Sequence, residues 1–337
     1  MKARVAILGA TGYTALEAIR LLLRHPQVTV TAITSRDPGR RLGAVHPALD
    51  GLTGLVFEEY TTPERLAEKA DVVFGCLPHG ASAAVIPGLL TAGCRVVDFS
   101  ADYRLNDPEV FARWYGEPSH DPQRLGTVPY GLPELFRKSL HGAKLVANPG
   151  CYPQTVVLPL APLRKAGLIE PIGIIADAKS GVSGAGRTPK LNILYPECNE
   201  SISAYAVGTH RHTPEIDQIL TTVGGAPVEV IFTPHLTPMD RGILTTTYSM
   251  PTGDVTQEEL YECAREFYRN EPFIQIVDEL PATKHVSHTN FCRMAFRVVR
   301  GRVMTIAAID NLVKGASGSA VQNMNILCGF EETTALL

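Results

Sequence analysis

The chain has 337 residues, enough for two domains, and at 45% apolar and 19% charged it can bury a substantial core and does not read as disordered. A formal charge of −3 and a pI near 6.4 give no sign of the strongly basic face that nucleic acid or an anionic membrane would favour. No apolar run approaches the roughly 18 residues of a membrane helix. Seven cysteines without CxxC spacing argue against a disulfide framework and a structural zinc site. The expectation is a cytoplasmic protein with reduced thiols, Cys76, Cys94, Cys292 and Cys328 among them serving as small buried hydrophobes.

The opening run at 3–8 (ARVAIL) reads as a buried strand rather than a signal peptide, because a glycine turn interrupts it. A helix over 15–24 and a strand at 28–34 follow. Thr62, Pro63 and Glu64 offer an N-cap and a first-turn proline for a short helix at 63–69. A strand at 71–75, a helix at 81–91 and strands at 95–99 and 144–147 complete the first half. Strands alternating with helices imply a parallel sheet covered on both faces. After about residue 150 the spacing yields strands at 173–179, 228–233, 242–250, 273–277, 291–299 and 303–309, the last two joined by a hairpin turn at Arg300-Gly301-Arg302. One helix, 257–268, opens with the capping box Thr256 to Glu259. This half reads as a mostly antiparallel sheet with helices on one face. The stretch 314–328 has helical spacing, ends at Gly329 and is expected to return to the first domain.

Gly9, Thr11, Gly12, Tyr13 and Thr14 lie in the turn between the first strand and its helix. Glycines there let backbone N–H groups approach a pyrophosphate, and the helix N-terminus favours the anion. The pattern is GxxGxxA, closed by Ala15; an ordinary tight turn is the alternative. The second strand ends at Thr34-Ser35-Arg36, about 20 residues beyond the glycines, where a carboxylate suits NAD and an arginine suits a 2′-phosphate. Ser35 and Arg36, with Arg40 and Arg41 behind them, argue for NADP(H). Asp37 weighs the other way, and a solvated loop is the alternative.

Asn148-Pro149-Gly150-Cys151-Tyr152-Pro153 follows a strand and opens a helix. A cysteine there meets the positive end of the helix dipole, which lowers its pKa and favours the thiolate. The other reading is a buried structural cysteine. A thiolate nucleophile needs a proton carrier, and His210-Arg211-His212-Thr213-Pro214-Glu215 is the densest polar cluster in the chain. Pro214 suits a first helical turn, and Glu215, one turn on from His212, can orient its ring. A metal pair is an alternative, but no matching ligand spacing recurs and no metal is expected. Residues 179–187 (KSGVSGAGR) offer hydroxyls, backbone amides and a cation, as an anion-binding loop or a flexible linker would. Asn311-Leu312-Val313-Lys314 precedes the last helix, where its backbone could contact a ligand.

Together these motifs resemble the N-acetyl-γ-glutamyl-phosphate reductase family (type 1), within the aspartate-semialdehyde dehydrogenase-like superfamily. The resemblance spans nearly the whole chain: GATGYT at 9–14, LPHG at 77–80, DFSADYR at 98–104, PYGLPE at 129–134, NPGCYP at 148–153, KSGVSGAGR at 179–187, HRHTPE at 210–215, PHLTPM at 234–239 and NLVKGASGSAVQNMN at 311–325. It implies a Rossmann domain at 1–150, completed by the C-terminal stretch 314–337, and an α+β catalytic and oligomerisation domain at 151–313. It further implies reduction of N-acetyl-glutamyl 5-phosphate to the 5-semialdehyde with NADPH, through a thioester on Cys151. His212 would be the acid/base with Glu215 in support, although His210 could share that role. The resemblance puts NADP(H) on the glycine turn, Ser35, Arg36, Ser180, Gly181, Gly184, Asn311 and Lys314. It puts the acyl phosphate on Ser183, Arg187, His210 and Arg211. It implies a homodimer or homotetramer, with no nucleic-acid or membrane partner. A related semialdehyde dehydrogenase, a reductase of another or carrier-linked acyl phosphate, and a silent NADP-binding sensor are the alternatives. The chain departs from the family at Gln154, at Ala15 and at Pro159, where a kink in the helix after Cys151 is expected.

Overall fold

The computed structural model describes residues 2–337 in two compact units, one running to Pro149 and resuming over Ala316–Leu337, the other spanning Gly150–Gly315. The first unit holds six parallel strands, β1 (Ala3–Leu8), β2 (Val28–Thr34), β3 (Phe57–Glu58), β4 (Val72–Gly75), β5 (Arg95–Asp98) and β6 (Leu145–Ala147). Their order is β3-β2-β1-β4-β5-β6, the doubly wound arrangement whose ligand crevice opens at the carboxyl ends of the strands where the order reverses. Val5, Ile7, Val72, Val73, Val96 and Val97 are fully buried, as a sheet covered on both faces requires.

Helices cover it, among them α1 (Tyr13–Arg24), α2 (Leu42–Val45), α3 (Pro63–Lys69), α4 (Ala81–Thr91), α5 (Pro108–Tyr115) and α6 (Pro133–Leu140). α1 buries Ala15, Ala18, Ile19 and Leu22, the stripe of an amphipathic helix. Thr62 accepts the Arg65 N–H and Pro63 opens α3, as its sequence signals predict. The spacing missed β3, α2, α5 and α6. The boundaries of α5 were nonetheless marked, because Asp107 accepts the N–H groups of Glu109 and Val110 and Gly116 closes the helix in the left-handed region.

The second unit contains α7 (Cys151–Lys165), α8 (Tyr195–Cys198), α9 (Thr213–Gly224) and α10 (Gln257–Phe267) with β7 (Ile174–Gly181), β8 (Ser203–Ala204), β9 (Val230–Thr237), β10 (Ile243–Ser249), β11 (Ile274–Ile276), β12 (Cys292–Val299) and β13 (Arg302–Ile309). The sheet runs β11-β12-β13-β10-β7-β9-β8. Only β11 with β12 and β7 with β9 are parallel, so the sheet is mostly antiparallel. Arg300 and Gly301 both take positive φ in the turn joining β12 to β13, which suits the twist of a two-residue hairpin. One sheet face lies under helices, with Thr245 donating to Thr155 of α7 at 2.7 Å and Thr247 paired with Thr305 at 2.7 Å.

The last helix, α11 (Gly318–Cys328), belongs to the first unit and is buried from Gly318 to Leu327. Its polar residues are buried because they are bonded. Asn323 donates to Gly131 O at 2.8 Å, Gln322 donates to Glu134 and Glu332, and Asn325 Oδ1 meets His25 Nε2 at 2.9 Å. Residues from Lys314 on were expected to open this helix, but Val313–Ser317 differ. They form a π-helical turn instead. Among the described residues no helix is long and apolar enough to cross a membrane.

Candidate active site

Gly150 is extended, and helical geometry begins at Cys151, so the cysteine is the first residue of α7. No side chain of its own turn caps this helix and its first turn carries no acidic residue, so the helix start favours an anion. Cys151 is partly accessible, unlike the buried Cys94 and Cys292; Cys76 and Cys328, expected to be buried, are partly accessible as well. Burial pushes the thiols of Cys76, Cys94, Cys263 and Cys328 up, which keeps them protonated and unreactive.

α7 continues through Pro159 and Pro162 and is buried over nearly its whole length. Pro162 cannot donate to Leu158 O; the Tyr268 hydroxyl does so instead, at 2.7 Å. Gln154, one of the family departures, lies inside this helix and is fully buried.

His210, His212 and Glu215 gather at the start of α9, all within the unit that carries Cys151. A Cβ placed on Gly150 would lie 2.5 Å from His212 Nε2, so the imidazole rests on bare backbone next to the cysteine. The Gly150 N–H donates to Glu215 Oε1 at 2.8 Å, and that carboxylate is 1% exposed. Glu215 therefore clamps the cysteine turn itself, a contact its spacing from His212 did not suggest.

His210 sits in an aromatic nest, with ring centroids 5.4 Å from Tyr152, 5.5 Å from Tyr205, 5.3 Å from Phe232 and 4.8 Å from His212. Its Nδ1 accepts the His212 backbone N–H at 3.1 Å, so in the neutral ring Nε2 carries the proton. Burial, with Arg211 adding to it, lowers its pKa to about 4. The Tyr205 hydroxyl donates to that of Tyr152 at 3.0 Å, and burial pushes Tyr205 up to about 12 and Tyr152 higher still. Tyr152, Tyr205 and Phe232 were not predicted as site residues. Nothing in the sequence around Tyr205 or Phe232 marks them, since only folding brings them to His210.

In the segment rich in serine and glycine, Ser180 and Gly181 end β7 and Val182–Ala185 form a short 3-10 turn. Ser183 is buried, donating to Asp240 O at 2.5 Å and accepting from Asn311 at 3.0 Å; Asn311 also accepts the Gly242 N–H at 2.7 Å. Both side chains, read as ligand contacts, are engaged in bracing this loop. Gly184, Arg187 and Arg211 are exposed. Lys314 is fully buried with its ammonium 5.6 Å from the Phe273 ring centroid. The cofactor contact expected at Lys314 rests on the backbone of this segment, and its side chain is turned to the interior. Asp310, which the spacing did not single out, is fully buried and accepts the N–H groups of Leu312, Val313 and His288.

In the first unit Gly12 caps α1 with no side-chain hydrogen bond, and no acidic residue occupies the first turn, so this helix start also favours an anion. Space around Gly12 is open, Thr11 is exposed, and Tyr13 and Thr14 are half-buried. Ser35 forms a local turn with Asp37, and Asp37 pairs with Arg40 at 3.2 Å. Arg36 is exposed beside the end of β2 and, among the described residues, has no ion-pair partner. These residues fit a dinucleotide carrying a 2′-phosphate.

Two family models match, one described as semialdehyde dehydrogenase, NAD binding domain, over 4–143, and one as semialdehyde dehydrogenase, dimerisation domain, over 151–311. The chain is 52% identical to N-acetyl-gamma-glutamyl-phosphate reductase of Rhodopirellula baltica over 99% of this chain and 98% of that one. It is 53% identical to the protein of the same name from Pelobacter propionicus, over 98% and 97%. Among solved structures it is similar to aspartate semialdehyde dehydrogenase II from Vibrio cholerae, with TM-score 0.75 and 16% identity over 98% and 99% of the two chains. The NADP-bound aspartate semialdehyde dehydrogenase from Candida albicans matches at TM-score 0.69 and 16% identity, covering 97% and 98%. At such identities the structures show a shared fold, whereas the full-length relatives show the family. By that measure the chain belongs to the N-acetyl-gamma-glutamyl-phosphate reductase family.

Proposed function

We propose that this protein reduces N-acetyl-γ-glutamyl phosphate to N-acetylglutamate 5-semialdehyde and phosphate, using NADPH, as a cytoplasmic homodimer or homotetramer. The observation that carries this reading is the Cys151 thiol at the uncapped start of α7, with the His212 imidazole seated on the adjoining Gly150. The names of relatives half identical over the full length supply the substrate.

In this reading His212 takes the thiol proton and Cys151 attacks the acyl carbonyl. The carbon–oxygen bond to phosphate breaks, phosphate departs, and a thioester remains on Cys151. Backbone N–H groups in the first turn of α7 stabilise the oxyanion that forms during attack and again during reduction. The glycine turn at 9–14 with Ser35 and Arg36 would hold the dinucleotide, which supplies a hydride to the thioester carbon when bound. The resulting thiohemiacetal collapses, releasing the aldehyde and restoring the sulfur, and His212 returns its proton. Glu215 holds the Gly150 N–H and keeps the turn in place. His210 is neutral and supports His212 through its backbone.

The test is phosphate-dependent reduction of NADP with N-acetylglutamate 5-semialdehyde. Wild-type protein turns over. Cys151→Ser binds NADPH normally, and its kcat falls by at least about 10³-fold. Near-normal reduction by that variant contradicts the scheme.

A further inference from the structure

We propose that Gly315 is a positioning residue for the nucleophile: its bare backbone lies against the Cys151 Cβ and fixes the direction in which the sulfur leaves the start of α7. This deepens the reading of Cys151 as the reacting thiol and rests on it. A Cβ placed on Gly315 would lie 2.9 Å from the Cys151 Cβ, 3.3 Å from Ile309 Cδ1 and 3.4 Å from Asp310 O. The first distance is closer than carbon atoms pack, so one side has to give.

Neither side is free to do so. Gly315 sits inside the π-helical turn, its N–H donating to Asp310 O at 2.9 Å, five residues back. Asp310, fully buried, holds the approach to that turn. One carboxylate oxygen accepts from Leu312 at 2.8 Å and Val313 at 3.0 Å, the other from His288 at 2.7 Å and Arg241 at 3.4 Å. On the other side, the Cys151 Cβ is fixed to a helix buried along its length and to the Gly150 turn held by Glu215. A methyl group at 315 would therefore turn the thiol or displace the helix start. π-helical turns of this kind concentrate at functional sites, and a misplacement near 1 Å can cost about 10²-fold in rate.

The experiment compares Gly315→Ala with wild type in steady-state reduction and in iodoacetamide alkylation followed at each cysteine, with Cys198 as internal reference. The expected result is a kcat lower by about 10- to 100-fold, little change in KM, and Cys151 alkylation slowed while Cys198 is unaffected. Wild-type kcat and Cys151 alkylation in the variant, even with lowered thermal stability, overturn the proposal, because Gly315 then serves packing alone. Should Gly315→Ala prove insoluble, Asp310→Asn decides the matter, since it loosens the turn without adding an atom beside Cys151. Slowed alkylation and turnover support the role; unchanged values overturn it. Failure of the underlying reading is seen separately, as turnover retained by Cys151→Ser, and the alkylation rates do not depend on that outcome.

Discussion

His210 is enclosed by Tyr152, Tyr205, Phe232 and His212, and burial brings its pKa down to about 4. The folded protein therefore keeps this ring neutral where the unfolded chain, with a histidine pKa near 6.5, takes up a proton. Below about 6.5 the unfolded state binds more protons, so stability falls as pH drops toward 4, by up to roughly 3 kcal/mol from this group. Urea unfolding at pH 7 and pH 5 checks this. His210→Gln should lose visibly less stability between those values than wild type; an equal loss would refute the assignment. The motif at 210–215 made both histidines candidates, and the sequence left open which of them moves the proton. The accepted His212 N–H and the aromatic surroundings distinguish the two rings, which supports the proposal that His212 carries the proton.

At the scale of elements, α7 carries two internal prolines that ordinarily disrupt a helix, and at Pro162 a neighbouring side chain supplies the bond that is removed. The Tyr268 hydroxyl bonds the Leu158 carbonyl that Pro162 leaves without a donor. Tyr268→Phe should destabilise the protein by about 1–2 kcal/mol, because a buried carbonyl is orphaned. Chemical denaturation measures this, and an unchanged midpoint would mean that the bond contributes nothing. Other elements show where periodicity stops being informative. β9 continues to Thr237, past the expected end at Thr233, because Pro234 points its missing N–H toward the short edge strand β8. The π turn was read as ordinary helix because its residues are those of any helix start; only the Gly315 N–H to Asp310 O bond reveals it.

At the scale of the molecule, the register of the second sheet aligns Ile231, Ile175, Tyr248 and Met304 across four neighbouring strands, β9, β7, β10 and β13. Ile231 is 59% exposed and Ile175 40%, on the face opposite the helices. A contiguous apolar row on an open sheet marks an association surface, and the family model that matches this unit is described as a dimerisation domain. If the proposed oligomer uses this face, the double variant Ile175→Asp/Ile231→Asp should sediment as a smaller species than wild type. An unchanged sedimentation coefficient would place the interface elsewhere.

The sequence by itself determined the alternating strands and helices of the first unit, the change to a mostly antiparallel sheet, the glycine turn after the first strand and the special setting of Cys151. Each of these rests on local periodicity, turn chemistry or a short motif. Only the tertiary structure decided that Glu215 clamps Gly150, that Ser183 and Asn311 brace one another, that Lys314 is enclosed, and that Gly315 backs the thiol. Those facts are contacts between residues far apart along the chain. No local preference encodes them, because they exist only once packing has brought two stretches of backbone within a few ångströms.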